Sequence, residues 1–174
     1  MPNSERRHTI AVLVDNEPGV LARVIGLFAG RGYNIESLTV SEIDAVKGYS
    51  RITIVTSGTD MVIEQIKALL DRLVPVHMVE DLTIQGPCLE RELALVKVVN
   101  SGESRIEALR IADMFRAHAI DSTLDSFVFE LTGSPQKLNA FIELMAGLGE
   151  TEITRGGVVA IARGNTVGLK TSQY

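Results

Sequence analysis

Residues 9–28 read TIAVLVDNEPGVLARVIGLF, and the change of rhythm inside that stretch decides the fold. Thr9 to Asp15 alternates and is rich in β-branched residues, which is the pattern of a strand. Further on, Leu21, Val24, Ile25 and Phe28 fall at i, i+3, i+4 and i+7, the apolar stripe of an amphipathic helix. Between the two lies Asp15-Asn16-Glu17-Pro18-Gly19. As plain helix-start chemistry, Asp15 or Asn16 supplies the cap and Pro18 suits the first turn. Gly19 fits that account less well, because a glycine in a first turn costs up to about 1 kcal/mol against alanine. A ligand carboxylate that must approach the N–H groups of Gly19, Val20 and Leu21 would explain it. On these residues alone the two readings stand level.

Working outward, Gly30 and Gly32 end the helix, Asn34 to Ile43 and Ser50 to Thr56 read as strands, and Ser57-Gly58-Thr59-Asp60 turns into a second helix. That helix carries Val62, Ile66, Leu69 and Leu73 on one face; Pro75 stops it, and Val76 to Gln85 is a fourth strand. The order β-α-β-β-α-β is the split, ferredoxin-like unit. After Gly86 to Glu92 the plan repeats: a strand at Leu93–Val99 and a helix over about Glu103 to Ala117 with Ile106, Leu109, Ala112 and Phe115 together. Strands at Ile120–Leu124 and Phe127–Thr132, a helix opening at Ser134-Pro135, and a closing strand at Val158–Ala162 complete it. The predicted fold is therefore α+β: two tandem ferredoxin-like βαββαβ units, antiparallel sheets with helices on one face. The expected domains are 1–85, a linker 86–92, 93–164, and a frayed tail 165–174. Strands such as Arg51-Ile52-Thr53-Ile54-Val55 put apolar groups on both sides, so the open sheet face needs a partner. The expectation is a homodimer through sheet edges or helices of the first unit, against the alternative that the two units only cover each other within one chain.

Composition bounds the function. A chain of 174 residues that is 45% hydrophobic and 22% charged is globular. A net charge of −5 with scattered basic residues, 5% aromatics and no tryptophan argues against a nucleic-acid partner. The first fifteen residues lack the apolar length of a signal peptide, and no window reaches the roughly 20 apolar residues of a membrane span. With the lone Cys88, this predicts a cytoplasmic protein without a membrane partner.

Chemistry-bearing motifs are absent. His8, His77 and His118 sit in separate elements without ligand spacing, and one cysteine builds no zinc site, so no metal site and no catalytic residue is expected. His77 and His118 read as partly buried structural histidines, Cys88 as inert, and Glu90-Arg91-Glu92 as a solvated linker face. Small ferredoxin-like hydrolases bind acyl phosphate with an Arg and an Asn, which Arg23 and Asn34 could supply, but the glycine-rich anion loop is missing.

The strand-Asn-x-x-Gly-x-Leu-x-Arg-helix pattern inside the first unit resembles an ACT domain, an amino-acid-binding module. Two longer strings are more specific: Arg23-Val24-Ile25-Gly26-Leu27-Phe28, and Arg31-Gly32-Tyr33-Asn34-Ile35-Glu36-Ser37-Leu38-Thr39-Val40. With Ser50 to Ile54, Leu95 to Val98, Phe115-Arg116-Ala117, Thr132 to Leu138 and Arg155 to Gly164, they resemble the small regulatory subunit of acetohydroxyacid synthase (acetolactate synthase), over about residues 8–164. The resemblance implies a non-catalytic partner of a large subunit that carries thiamine diphosphate, Mg²⁺ and FAD. It also implies activation of that subunit and feedback inhibition by valine held between two ACT units of a dimer, in branched-chain amino-acid biosynthesis. Asn16, Gly19, Val20 and Leu21 would hold the amino-acid head group from one chain, and Asn34 and Ile35 would close the site from the other. Ala22 departs from relatives that carry a small polar residue there, which leaves the degree of valine sensitivity open. The second unit has no Asn-x-x-Gly loop in Val99 to Ser104, so no valine site is expected there; its role would be contact with the catalytic subunit or oligomerisation. A stand-alone amino-acid sensor acting on another enzyme or a transcription factor is the alternative; it predicts no thiamine-dependent partner on co-purification.

Overall fold

The alternation at residues 9–15 becomes β1 (Arg6–Asp15) and the stripe after it becomes α1 (Val20–Gly30). β2 (Ser37–Asp44), β3 (Tyr49–Gly58), α2 (Asp60–Asp71) and β4 (Val76–Asp81) follow. The computed structural model describes residues 4–165 and 167–169. The four strands form an antiparallel sheet in the order β2-β3-β1-β4, with Ile10 opposite Ile54 and Val12 opposite Ile52. Because side chains alternate across a strand, Ile10, Val12 and Val14 point to the helices and pack with Val24, Phe28, Ile63, Ile66 and Leu70. Thr59 caps α2, its hydroxyl accepting from the Val62 N–H at 3.4 Å.

Both helices bury a narrower stripe than their sequences offer. α1 buries Val20, Val24 and Phe28 and leaves Leu21 and Ile25 exposed at 37% and 38%. α2 buries Ile63, Ile66 and Leu70, whereas Val62, Leu69 and Leu73 of the predicted face stay half-buried. A helix resting on a sheet touches it along one line, so the flanks of a wide apolar face remain free for other contacts.

The second unit comprises β5 (Cys88–Val99), α3 (Glu103–Phe115), β6 (His118–Ser122), β7 (Ser126–Gly133), α4 (Pro135–Ala146) and β8 (Glu150–Arg155). Its sheet order is β6-β7-β5-β8, and Val96, Val98, Phe127, Phe129, Leu131, Leu138, Phe141 and Met145 fill its core. α4 opens as read, with Pro135 in its first turn and the Ser134 hydroxyl accepting from the Lys137 N–H at 3.3 Å. α3 is turned relative to expectation: it buries Ala108, Ile111 and Ala112, while Ile106 and Leu109 are exposed. The small residues let the helix sit close over Phe127 and Phe129, which fill the space instead.

The strand that lies beside β5 at the edge of the second sheet is β8, where Val158–Ala162 was expected; Val159–Ala162 is itself a strand and also pairs with β5, outside the β6-β7-β5-β8 order. β8 runs beside β5 from Ala94 opposite Arg155 to Val99 opposite Glu150. Its sequence, ETEITR, is a polar edge strand with a single large apolar residue, so periodicity passes it over. Among the described residues, the compact units are those up to Leu89 together with those from Val158 on, and Glu90–Gly157. The expected 86–92 linker is shorter in the structure, since β5 begins at Cys88.

Val158 and the strand after it, β9 (Val159–Ala162), return to the first unit. The Val158 N–H donates to Ser37 Oγ at 2.8 Å, and its carbonyl accepts from Thr39 Oγ1 at 3.0 Å. The Arg51 guanidinium donates to the Ala160 carbonyl at 2.7 Å. Burial pushes that guanidinium below its ordinary pKa, opposed by the charge of Glu80. Ala160 and Leu169 are buried against Ala11, Leu13 and Leu82, with Tyr49, Met78 and Cys88 beside them. The outer face of the first sheet is thus covered by the chain's own later residues. Leu169, expected in a frayed tail, is 9% exposed; Thr166 and residues 170–174 of that tail lie outside the described residues.

Candidate functional site: the start of the first helix

At the end of β1 the Asp15 N–H donates to the Pro75 carbonyl at 2.9 Å and the Asn16 N–H to the Gly48 carbonyl at 2.7 Å. Neither side chain caps α1. The Asp15 carboxylate holds His77 Nε2 at 2.6 Å, and the His77 ring lies 4.8 Å from that of Tyr49. The Asn16 amide donates to the Glu42 carboxylate on β2. Glu17 to Val20 then makes a turn, closed by the Val20 N–H on the Glu17 carbonyl at 3.4 Å. Gly19 sits at φ 85, ψ −7, the values of the third residue of a type II turn whose second residue is proline.

This corrects the sequence reading of Gly19. It is not in the first turn but at the N-cap, in the left-handed region where glycine has no penalty. An added Cβ would meet nothing within 4 Å, so backbone conformation, not crowding, calls for glycine. The turn explains it without a ligand.

What remains for a ligand is the helix end itself. Among the described residues no side chain caps α1 and no acid lies in its first turn, so the positive end of the helix has no charged or side-chain partner there. Asn16, Gly19 and Leu21 are exposed there, whereas the Val20 side chain is buried in the core at 4% and its N–H already closes the turn on Glu17. Three residues before the N-cap, the Asn16 amide holds the Glu42 carboxylate. A helix N-terminus with an acid held by the loop leading into it suits a zwitterion: a carboxylate on the helix end and an ammonium on the acid. Glu42 was missed by sequence reasoning, and no local signal marks it; only the pairing of β2 and β3 brings it near Asn16.

Asn34 and Ile35 lie past the other end of α1. The Asn34 carbonyl accepts from Thr56 Oγ1 at 2.6 Å, its side chain is exposed, and Ile35 packs half-buried on the core. α1 has 11 residues, so it spans about 16 Å, and one chain does not bring the two groups onto one small ligand.

The histidines behave differently from expectation. His8 is the buried one, 3% exposed, its Nδ1 2.8 Å from Asp81; His77 is partly exposed and His118 exposed. Among the described residues no group of three or more His, Cys, Asp or Glu is placed to hold a metal ion, and no helix is long and apolar enough to cross a membrane.

Comparison with known proteins gives two family matches. Residues 10–78 match an AHAS small subunit-like ACT domain, and residues 91–164 match the small subunit of acetolactate synthase. Over 159 residues the chain is 47% identical to a probable acetolactate synthase small subunit of Archaeoglobus fulgidus, covering 91% of this chain and 98% of that one. It is 44% identical over 162 residues to the acetolactate synthase isozyme 3 small subunit of Escherichia coli K12, covering 92% and 98%. The crystal structure of an acetolactate synthase small subunit from Thermotoga maritima superposes with a TM-score of 0.83 at 39% identity, covering 92% of this chain and 99% of that one.

Proposed function

The chain belongs to the acetolactate synthase small-subunit family, and on that premise we propose that it activates the large catalytic subunit and makes it sensitive to feedback inhibition by valine. As a small subunit it is a non-catalytic member of an enzyme complex. The thiamine diphosphate, Mg²⁺ and FAD of the reaction belong on this reading to the large subunit, and the complex works in the cytoplasm. Valine sits between two ACT domains of a homodimer, its head group at Asn16, Gly19, Val20 and Leu21 of one copy and its other side against Asn34 and Ile35 of the second.

The observation that carries this reading is the uncapped N-terminus of α1, preceded by the loop in which Asn16 holds the Glu42 carboxylate. The separation of the two half-sites along α1 favours a dimer, as do the exposed Leu21 and Ile25 and the exposed Val40 and Ile43 on the edge strand β2. Valine acts by binding one arrangement of the two copies better than another, and a coupling of roughly 1–3 kcal/mol suffices for clear inhibition. Acetolactate production by the reconstituted pair, with and without valine, tests the proposal. The expected result is a higher rate with the small subunit and a fall on adding valine. No rise in rate removes the regulatory role. Calorimetry of the isolated chain checks the site, and the absence of heat at millimolar valine removes it.

A further inference from the structure

Apart from the loop at residues 15–21, the first unit has an open groove of about 740 Å³ between α1 and α2. Leu27, Leu69 and Leu73, all half-buried, line it together with the exposed Arg23, Arg31 and Arg72. Several other arginines are held by the chain itself, among them Arg51 by a carbonyl, Arg105 by Ser122 and Arg155 by Glu92. Arg23, Arg31 and Arg72 have no such partner among the described residues. Helix ends account for Arg31 and Arg72, which follow the C-termini of α1 and α2, but Arg23 lies in the opening turns of α1, where the dipole disfavours a cation. Three unpaired cations on one face of a chain of net charge −5 make a local positive field over an apolar floor.

Gly26 and Gly30 line the same groove one helical turn apart. An added Cβ at either would meet nothing within 4 Å, and neither has positive φ. The chain's own fold therefore does not require glycine there, although glycine disfavours a helix. Without side chains, the backbone of α1 is bare along the groove, and a second helix can pack close against it.

From these two observations we infer that the α1–α2 groove docks an acidic, apolar helix of the large catalytic subunit. This rests on the reading that the chain partners such a subunit. Carboxylates of that helix pair with Arg23, Arg31 and Arg72, and its apolar side chains lie on the three leucines. A second copy of the same groove is excluded as occupant by like charge, since a two-fold contact would set the arginines against each other. A lone small anion would leave the leucines and the bare glycines unused.

The test measures binding of the full chain to its large catalytic subunit by surface plasmon resonance over a range of salt. The triple variant Arg23→Glu, Arg31→Glu, Arg72→Glu is expected to bind at least tenfold more weakly, while keeping its melting temperature and its thermal shift with valine. Should that variant not fold, the Arg→Gln triple is measured in its place, with a several-fold loss expected. Gly26→Ala is expected to hold or raise the melting temperature of the isolated chain and still weaken the complex several-fold, a result that a structural role for Gly26 cannot produce. Arg163→Glu, away from the groove, should leave binding unchanged. Wild-type binding matched by the triple variant overturns the groove's role and leaves the partnership standing, as does a triple variant that changes only self-association. No binding by the wild-type chain overturns both.

Discussion

Glu92 and Arg155 meet across the second sheet in a two-pronged ion pair, Arg155 Nε on Glu92 Oε1 at 3.0 Å and Nη2 on Oε2 at 2.6 Å. Glu92 is 5% exposed, and the remaining arm of Arg155 reaches Asn139 Oδ1 at 2.6 Å. What reads in sequence as a solvated charge run thus contains a buried acid that ties β5 to β8. The hydrogen bond to Glu92 also holds the Arg155 guanidinium above its ordinary pKa.

Glu92→Gln keeps the shape and removes the charge. Because the Arg155 side chain is about one-third open to solvent, the expected loss is about 1–2 kcal/mol, below that of a fully buried pair. Urea unfolding measures it; an unchanged midpoint would mean that the pair contributes nothing to stability.

The exposed pair Lys97–Glu152, at 2.8 Å, makes a prediction about titration. The hydrogen bond from Lys97 holds the Glu152 carboxyl below its ordinary pKa, and the same bond holds the Lys97 ammonium above its own. Any stability from Glu152 is therefore present above its unfolded pKa and lost as pH falls through the lowered folded value. Any from Lys97 is present below its unfolded pKa and lost as pH rises through the raised one. In Lys97→Met the Glu152 carboxyl should titrate closer to an ordinary glutamate. Carbon-13 NMR of the side-chain carboxyl follows this, and an unmoved titration curve contradicts the pairing.

Gly19→Ala forces a Cβ into the left-handed region at φ 85 and should cost about 1 kcal/mol in the absence of any ligand, with Gly19→Asn costing less. If Gly19→Ala is as stable as wild type in thermal unfolding, the turn account of this glycine is wrong. Gly19→Asp tests the ligand separately: a carboxylate at the helix end should abolish valine binding in calorimetry.

Leu169→Ala opens the covered outer face of the first sheet and should cost about 2 kcal/mol, at the low end for a buried leucine because the site lies at the margin of the core. Denaturant unfolding with an apolar dye reports both effects. Wild-type stability would show that the return segment does not hold this face.

Much was legible because local physics carries it. The strand-to-helix switch at residues 9–28, the Thr59 and Ser134 caps and the twofold element order all follow from neighbours in sequence. Other features were not. The β8 strand is polar, so no apolar rhythm announces it. The true face of α3 depends on Phe127 and Phe129, which lie elsewhere in the chain. Glu42 and Asn16, 26 residues apart, meet only because β2 pairs with β3.

The sequence by itself determined the two βαββαβ units and the family, because periodicity, caps and motif strings are local and repeat. Only the tertiary structure decided what covers the first sheet, since Leu13 and Leu169 are brought together by strand alternation and chain return, which no local pattern encodes. It also decided the meaning of Gly19: the sign of φ is a property of the folded backbone, and at φ 85 the turn itself selects glycine, leaving the open end of α1 as the feature a ligand would use.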